Sequence, residues 1–134
     1  MCADALHAPF REASFDAIFC NNILEHLNSY QAYRLFREIR YMLKKDGVVV
    51  VRTPDYQLVQ ETFFDDSTHI TPYTTNKLSK VLADCNLQVT FVSTDLIHLL
   101  VPPKPGNLID PLMSVLLKKF KVGNILCIAK KNFY

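Results

Sequence analysis

The sequence predicts an α/β fold built on a parallel sheet, and three observations carry that prediction. Two short apolar runs, 15–20 and the β-branched 48–51, flank a segment of helical periodicity. Polar residues, Asn21 and Asn22, stand where the first run ends. The length of 134 residues, 49% of them hydrophobic, suits one domain able to bury a core. A strand, a crossover helix and a strand in that order must lie with the strands parallel and the helix over one face. Polar residues at the carboxyl end of such a strand mark a ligand crevice.

Each element has its own signal. The runs 15–20 and 48–51 read as strands buried on two faces, the second preceded by Asp46-Gly47. Between them Tyr30, Tyr33, Phe36, Ile39 and Leu43 recur every three or four residues, which is amphipathic helix spacing. Asn28 with Gln31 forms a candidate capping box, and Gly47 is the expected helix stop. Residues 52–72 are polar, aromatic and aperiodic, a loop of a length that is uncommon unless functional. Thr74 or Thr75 then caps a helix with Leu78, Val81 and Leu82 on its apolar side, ending near Asn86. Strands follow at 87–94 and 124–129. Between these strands, at about 95–123, lies an excursion with Pro102, Pro103, Pro105 and Gly106, then an amphipathic segment with Asp110 as cap and Pro111 in its first turn.

Composition excludes several classes. Fifteen basic and thirteen acidic residues leave a formal charge of +2, too little for a phosphate-backbone partner, so no nucleic acid is expected. Cys2, Cys20, Cys85 and Cys127 are scattered, with no CxxC pair and no histidine at zinc-ligand spacing. They read as reduced thiols of a cytoplasmic protein, and no metal site is expected. The amino terminus lacks a signal-peptide pattern, and no stretch approaches the roughly 18 apolar residues of a membrane span.

The segments SFDAIFCNNILEHL, LKKDGVVVVRTPD and HITPYT followed by an amphipathic helix cover nearly the whole chain in order. Together they resemble the carboxy-terminal half of class I S-adenosylmethionine-dependent methyltransferases, especially the small-molecule type. The resemblance implies a partial Rossmann-like sheet holding strands four to seven of seven, the last one antiparallel between the fifth and sixth, with flanking helices. The chain is then a single incomplete methyltransferase-like domain over 1–134.

The resemblance also implies roles. Asp4, Ala5 and Leu6 match the element after the third strand that holds the adenine of S-adenosylmethionine, the carboxylate accepting from the amino group and Leu6 covering the ring; alternatively they are a solvated terminus. Cys20, Asn21 and Asn22 match the strand end that approaches the methionine part of the cofactor, although Asn22 equally suits a turn. Glu25-His26 matches a Leu-Glu-His element, where His26 either orients an acceptor and takes its proton or packs at the helix start. His69, followed by Tyr73, matches a lid or acceptor-site element, and Glu25, His69 and Tyr73 are the expected substrate contacts. Asp65 and Asp66, just before His69, either bind a polar acceptor or metal or form a solvated acidic loop, the reading preferred here. The 111–120 segment covers the acceptor pocket, or with Lys118, Lys119 and Lys121 lies on a membrane surface, or packs on the domain, the reading preferred here.

The family's cofactor turn after its first strand is glycine-rich, whereas the glycines here are Gly47, Gly106 and Gly123, in no GxG arrangement. S-adenosylmethionine is therefore expected to need more than this chain. The strand at 15–20 would have an open edge, which predicts pairing with a complementary chain or with a second copy. Two functions follow: methyl transfer to a small-molecule acceptor, weak or absent without the missing half, or a non-catalytic methyltransferase-like interaction module. Neither GxSxG nor a P-loop occurs, and an Asn/Asp-Pro-Pro-aromatic motif and a Pro-Cys pair, expected of base methylation, are absent too.

Overall fold

A computed structural model describes residues 4–94 and 123–131. The elements are β1 (Phe15–Asn21), α1 (Ser29–Met42), β2 (Leu43–Pro54), α2 (Tyr56–Val59), α3 (Thr75–Asp84), β3 (Leu87–Ser93) and β4 (Asn124–Lys131). Short 3-10 turns stand at Ala5–His7, Leu24–His26 and Phe63–Asp65. The Pro-rich stretch and amphipathic segment expected at about 95–123 lie outside the described residues except for Gly123.

The strands form one mixed sheet in the order β1-β2-β4-β3. β1 runs parallel to β2, with Phe19 opposite Val50 and Cys20 opposite Val51. β4 enters antiparallel to both β2 and β3. The last strand thus sits between the two before it, as the sequence resemblance implied. Among the described residues no helix is long and apolar enough to cross a membrane.

Alternation fixes the core. Val49, Val51 and Thr53 of β2 are fully buried, while Val48, Val50 and Arg52 between them are half-buried. The same face carries Cys20 of β1 and Ile125, Cys127 and Ala129 of β4. Against it pack Leu35, Phe36 and Ile39 from α1 and Leu78, Val81 and Leu82 from α3. Their three- and four-residue spacing makes one apolar stripe on each helix. The expectation of a first strand buried on two faces fails: Phe19, on the opposite face of β1, is 62% exposed. No described helix covers it.

The capping box is present. Asn28 Oδ1 accepts from the Gln31 N–H at 3.0 Å, and Gln31 Oε1 accepts from the Asn28 N–H at 2.9 Å. Asn28→Ala is expected to cost about 1 kcal/mol, read as a lower midpoint in thermal unfolding followed by circular dichroism.

Gly47 does not stop α1. The helix ends at Met42 because Leu43 turns extended, while its N–H still bonds the Ile39 carbonyl. Leu43 is fully buried, and its burial holds the break. The left-handed residue of the following bend is Asp46, φ 63°, which Asp tolerates, and its carboxylate meets Lys130 at 2.9 Å. Gly47 serves close approach instead: a Cβ there would stand 3.0 Å from the Lys44 carbonyl oxygen.

The expected loop at 52–72 is shorter than predicted. Its first three residues complete β2, and α2 and a 3-10 turn occupy part of the rest. At α3, Thr74 is the cap, its hydroxyl accepting from the Lys77 N–H at 3.3 Å. The helix ends at Asp84, two residues before Asn86, which takes φ 57°.

Candidate functional site

The carboxyl end of β1 is closed by a sharp turn. Asn22 adopts φ 52° and donates its N–H to the Arg52 carbonyl at 2.9 Å, so the chain leaves the sheet beside β2. Asn21 Oδ1 accepts from Arg52 Nη1 at 3.2 Å. The 3-10 turn that follows buries Leu24 and Glu25 completely and leaves His26 part-exposed.

The buried face of β2 becomes polar at the same end. Val49 and Val51 give way to Thr53 and Asp55, both at 0% exposure. Thr53 Oγ1 donates to Glu25 Oε2 at 2.9 Å. Asp55 Oδ1 caps α2 through the Gln57 N–H at 3.1 Å, and its own N–H donates to the Gly123 carbonyl at 2.6 Å. This run of β2 escapes a reading by hydrophobicity, since the strand continues past its apolar stretch.

The segment after α2 folds back onto this end. The Ile70 and Thr71 N–H groups both donate to the Glu25 carbonyl, at 2.7 and 3.1 Å. They bring the rings of His26 and His69 to a centroid separation of 4.9 Å. His26 Nδ1 contacts the Thr68 hydroxyl at 2.9 Å and the Thr68 carbonyl at 3.2 Å. His69 Nδ1 stands 2.6 Å from the Phe63 carbonyl, and the Phe63 ring lies against the imidazole at 4.7 Å. Asp66 accepts from both the hydroxyl and the N–H of Thr68, which hold its carboxyl below its ordinary value. Asp66 is exposed, as a solvated loop residue is, and its carboxylate is ordered by these two bonds. Phe64 and Ile70 are exposed beside the histidines, giving the polar cluster an apolar rim.

Of the expected site residues, Glu25, His26 and His69 come together. Tyr73 does not join them as a surface: at 1% exposure it presents nothing to a substrate, and burial pushes its hydroxyl up to about 12. Its packing in the core corrects the expectation of a substrate contact. Cys20 is also buried, and its thiol is pushed up to about 11 by desolvation, so its side chain is no nucleophile. Asp4 caps the 3-10 turn, accepting from the Leu6 N–H at 2.9 Å and from His7 Nδ1 at 2.9 Å. Those bonds, His7 first, lower its carboxyl's value. Ala5 is exposed, and Leu6 packs half-buried on the core. The turn itself rests on α1, where Arg34 bonds His7 Nε2.

Cys127 is also pushed up to about 11 by burial, and Cys85 is raised by the same cause. In the native chain at pH 8, Cys20, Cys85 and Cys127 are expected to resist iodoacetamide, and to label after unfolding, as mapped by mass spectrometry. A raised folded value stabilises the fold fully below the unfolded value of 9.0 and loses that contribution as pH climbs to about 11. Unfolding midpoints are therefore expected to fall above pH 9.

The mixed sheet with its flanking helices is a Rossmann-like α/β unit. A methyltransferase domain family model matches residues 1–51. An uncharacterized protein of Methanocaldococcus jannaschii is 43% identical over 68 residues, covering 49% of this chain and 28% of that protein. Among solved structures, a chain from the complex of the Haloferax volcanii Trm112 methyltransferase activator superposes with a TM-score of 0.72 at 14% identity, over 98% of this chain and 60% of that one. An S-adenosylmethionine-dependent methyltransferase from Archaeoglobus fulgidus gives 0.68 at 18% identity, over 98% and 66%. At these identities the superpositions establish the fold. The chain spans less than two thirds of the length of each of these proteins. Its fold is methyltransferase-like, and its first 51 residues match the methyltransferase domain family.

Proposed function

We propose that this chain contributes the acceptor-side half of an enzyme that moves the methyl group of S-adenosylmethionine to a nucleophile on a small molecule. The supporting observation is the meeting of Glu25-His26 with His69 at the carboxyl ends of β1 and β2, the position where α/β sheets of this kind hold ligands. The exposed Phe64 and Ile70 suit an acceptor with an apolar part. His26 or His69 orients that acceptor and takes its proton, while alignment of acceptor, methyl and sulfonium supplies most of the rate. The cofactor lies along the backbone and polar groups of Cys20, Asn21 and Asn22, with its adenine toward Asp4, Ala5 and Leu6. Free thiols at Cys20, Cys85 and Cys127 suit a cytoplasmic location.

The glycine-rich cofactor turn comes from a complementary segment seated on the outer edge of β1; a second copy, whose glycines form no GxG turn, can pair with that edge but does not supply the turn. Among the described residues β1 is hydrogen-bonded only to β2. An unpaired edge of this kind is a template for another strand.

Calorimetric titration with S-adenosylhomocysteine tests both parts. The chain alone is expected to bind more weakly than about 1 mM, near −4 kcal/mol, and to bind tightly once a glycine-rich amino-terminal half is added. Tight binding by the chain alone removes the need for a second half. No binding even in the reconstituted pair removes the methyltransferase reading. Light scattering behind size exclusion checks the edge: a monodisperse monomer at high concentration contradicts pairing through β1.

A further inference from the structure

The hydrogen bonds around the two histidines fix which ring nitrogens are free. The Thr68 hydroxyl spends its proton on Asp66 Oδ1 at 2.6 Å. Its oxygen and the Thr68 carbonyl can then only accept, so His26 Nδ1 carries hydrogen. The partner of His69 Nδ1 is the Phe63 carbonyl, which likewise only accepts. In the neutral rings both Nε2 atoms are therefore left as lone pairs.

Glu25 adds a third. Its Oε2 is satisfied by Thr53, but Oε1 is buried with no hydrogen-bond partner. A buried carboxylate oxygen without a partner is costly, and His26 Nε2, at 4.0 Å, is too far to donate to it. One ligand atom from each of Glu25, His26 and His69 lies within 4.8 Å of the others. Three residues that can each offer a metal-ligand atom therefore share one small space.

We propose that Glu25, His26 and His69 form a binding site for a divalent first-row transition ion. Two imidazoles and one carboxylate suit zinc, cobalt or iron(II) and disfavour calcium and magnesium, which prefer all-oxygen shells. Metal bonds of about 2.1 Å place ligand atoms roughly 3 to 4 Å apart, so the present spacing closes by small side-chain rotations. The outer contacts are those of a metal centre: each ring donates its remote N–H to a backbone carbonyl, which orients Nε2 and raises its basicity. The main-chain bonds from Ile70 and Thr71 to the Glu25 carbonyl join the two halves of the site without the ion's help. Asp66 Oδ2, 3.7 Å from His69 Nε2, supplies a second carboxylate at the rim. Three protein ligands leave coordination positions for water or an oxygen of a bound molecule. The site stands whether or not the chain takes part in methyl transfer.

The test uses the full 134-residue chain, stripped of metal with a chelator and titrated with Zn2+ by calorimetry and with Co2+ by visible absorption. One equivalent is expected to bind in the micromolar range or tighter, with the Co2+ spectrum of a nitrogen and oxygen shell. His26→Asn and His69→Asn, checked for folding by circular dichroism, are each expected to weaken binding about tenfold or more, and His7→Gln to leave it unchanged. Because Glu25→Gln risks misfolding at a buried site, the wild-type chain gives the second readout: the imidazole proton resonances of His26 and His69 shift with Zn2+ and those of His7 do not. Absence of binding at millimolar Zn2+, or binding that leaves those resonances in place or survives both histidine variants, overturns the proposal.

Discussion

Replacement of Phe36 by alanine is expected to destabilise the chain by about 3–5 kcal/mol. The ring is fully buried on the inner side of α1, in the cluster with Leu35, Ile39, Val49, Val51 and the α3 leucines. Removing it forfeits the transfer of an aromatic side chain and leaves a cavity that a sheet on one side and a helix on the other cannot close. A small domain is stable by only about 5–15 kcal/mol in total, so the variant is expected to populate the unfolded state measurably without denaturant. Urea unfolding of wild type, Phe36→Leu and Phe36→Ala measures the series. Phe36→Leu should lose markedly less, and equal losses would show that the ring's volume is not what holds α1 to the sheet.

Thr53→Val is expected to cost about 2–3 kcal/mol, although the two side chains have nearly the same shape. Thr53 gives Glu25 its one side-chain hydrogen bond at 2.9 Å, and both residues are fully buried. Valine keeps the packing and removes the donor, leaving a carboxyl group with neither oxygen satisfied, since Oε1 already has no hydrogen-bond partner. Breaking one side of a buried polar pair costs more than the pair itself contributes. A double-mutant cycle with Glu25→Met, which removes the acceptor at similar volume, isolates the interaction. A coupling energy near zero would mean that the loss comes from packing at position 53. Zn2+, by binding the native state alone, is expected to recover part of the loss.

Much of the fold is legible in the sequence because it rests on local patterns. The recurrence of Phe36, Ile39 and Leu43 and the Asn28–Gln31 pair placed α1, and the β-branched run at Val48 to Val51 placed the core of β2. The errors share a cause. Gly47 was expected to stop the helix by its backbone freedom, but the break at Leu43 is made by burying that side chain under the sheet. The apolar composition of β1 suggested two covered faces, yet burial belongs to what packs across a strand, and nothing described packs on Phe19. β2 was cut short at its last valine because hydrophobicity fades there while pairing with β4 continues to Pro54.

The candidate site was half legible. Glu25-His26 and His69 stand out by residue type and by the motifs around them, and Asp66 by the acidic pair before His69, but Thr53, Asp55 and Thr68 carry no signal that separates them from ordinary loop and strand polar residues. They matter through hydrogen bonds to residues remote in the chain. Tyr73 shows the reverse: an aromatic next to a functional loop reads as a ligand contact, and only packing reveals it as core.

The sequence by itself determined the order and type of the elements and the class of fold, since helix and strand periodicity, caps and turn residues act over a few neighbouring positions. Only the tertiary structure decided that the backbone of Ile70 and Thr71 docks on Glu25, that this docking brings His26 to His69, and that their Nδ1 atoms are committed to carbonyls while His26 Nε2 lies 4.0 Å from a buried Glu25 oxygen and His69 Nε2 lies 3.7 Å from Asp66. Such convergence depends on contacts between segments far apart in the chain, and no local pattern encodes the distance between them.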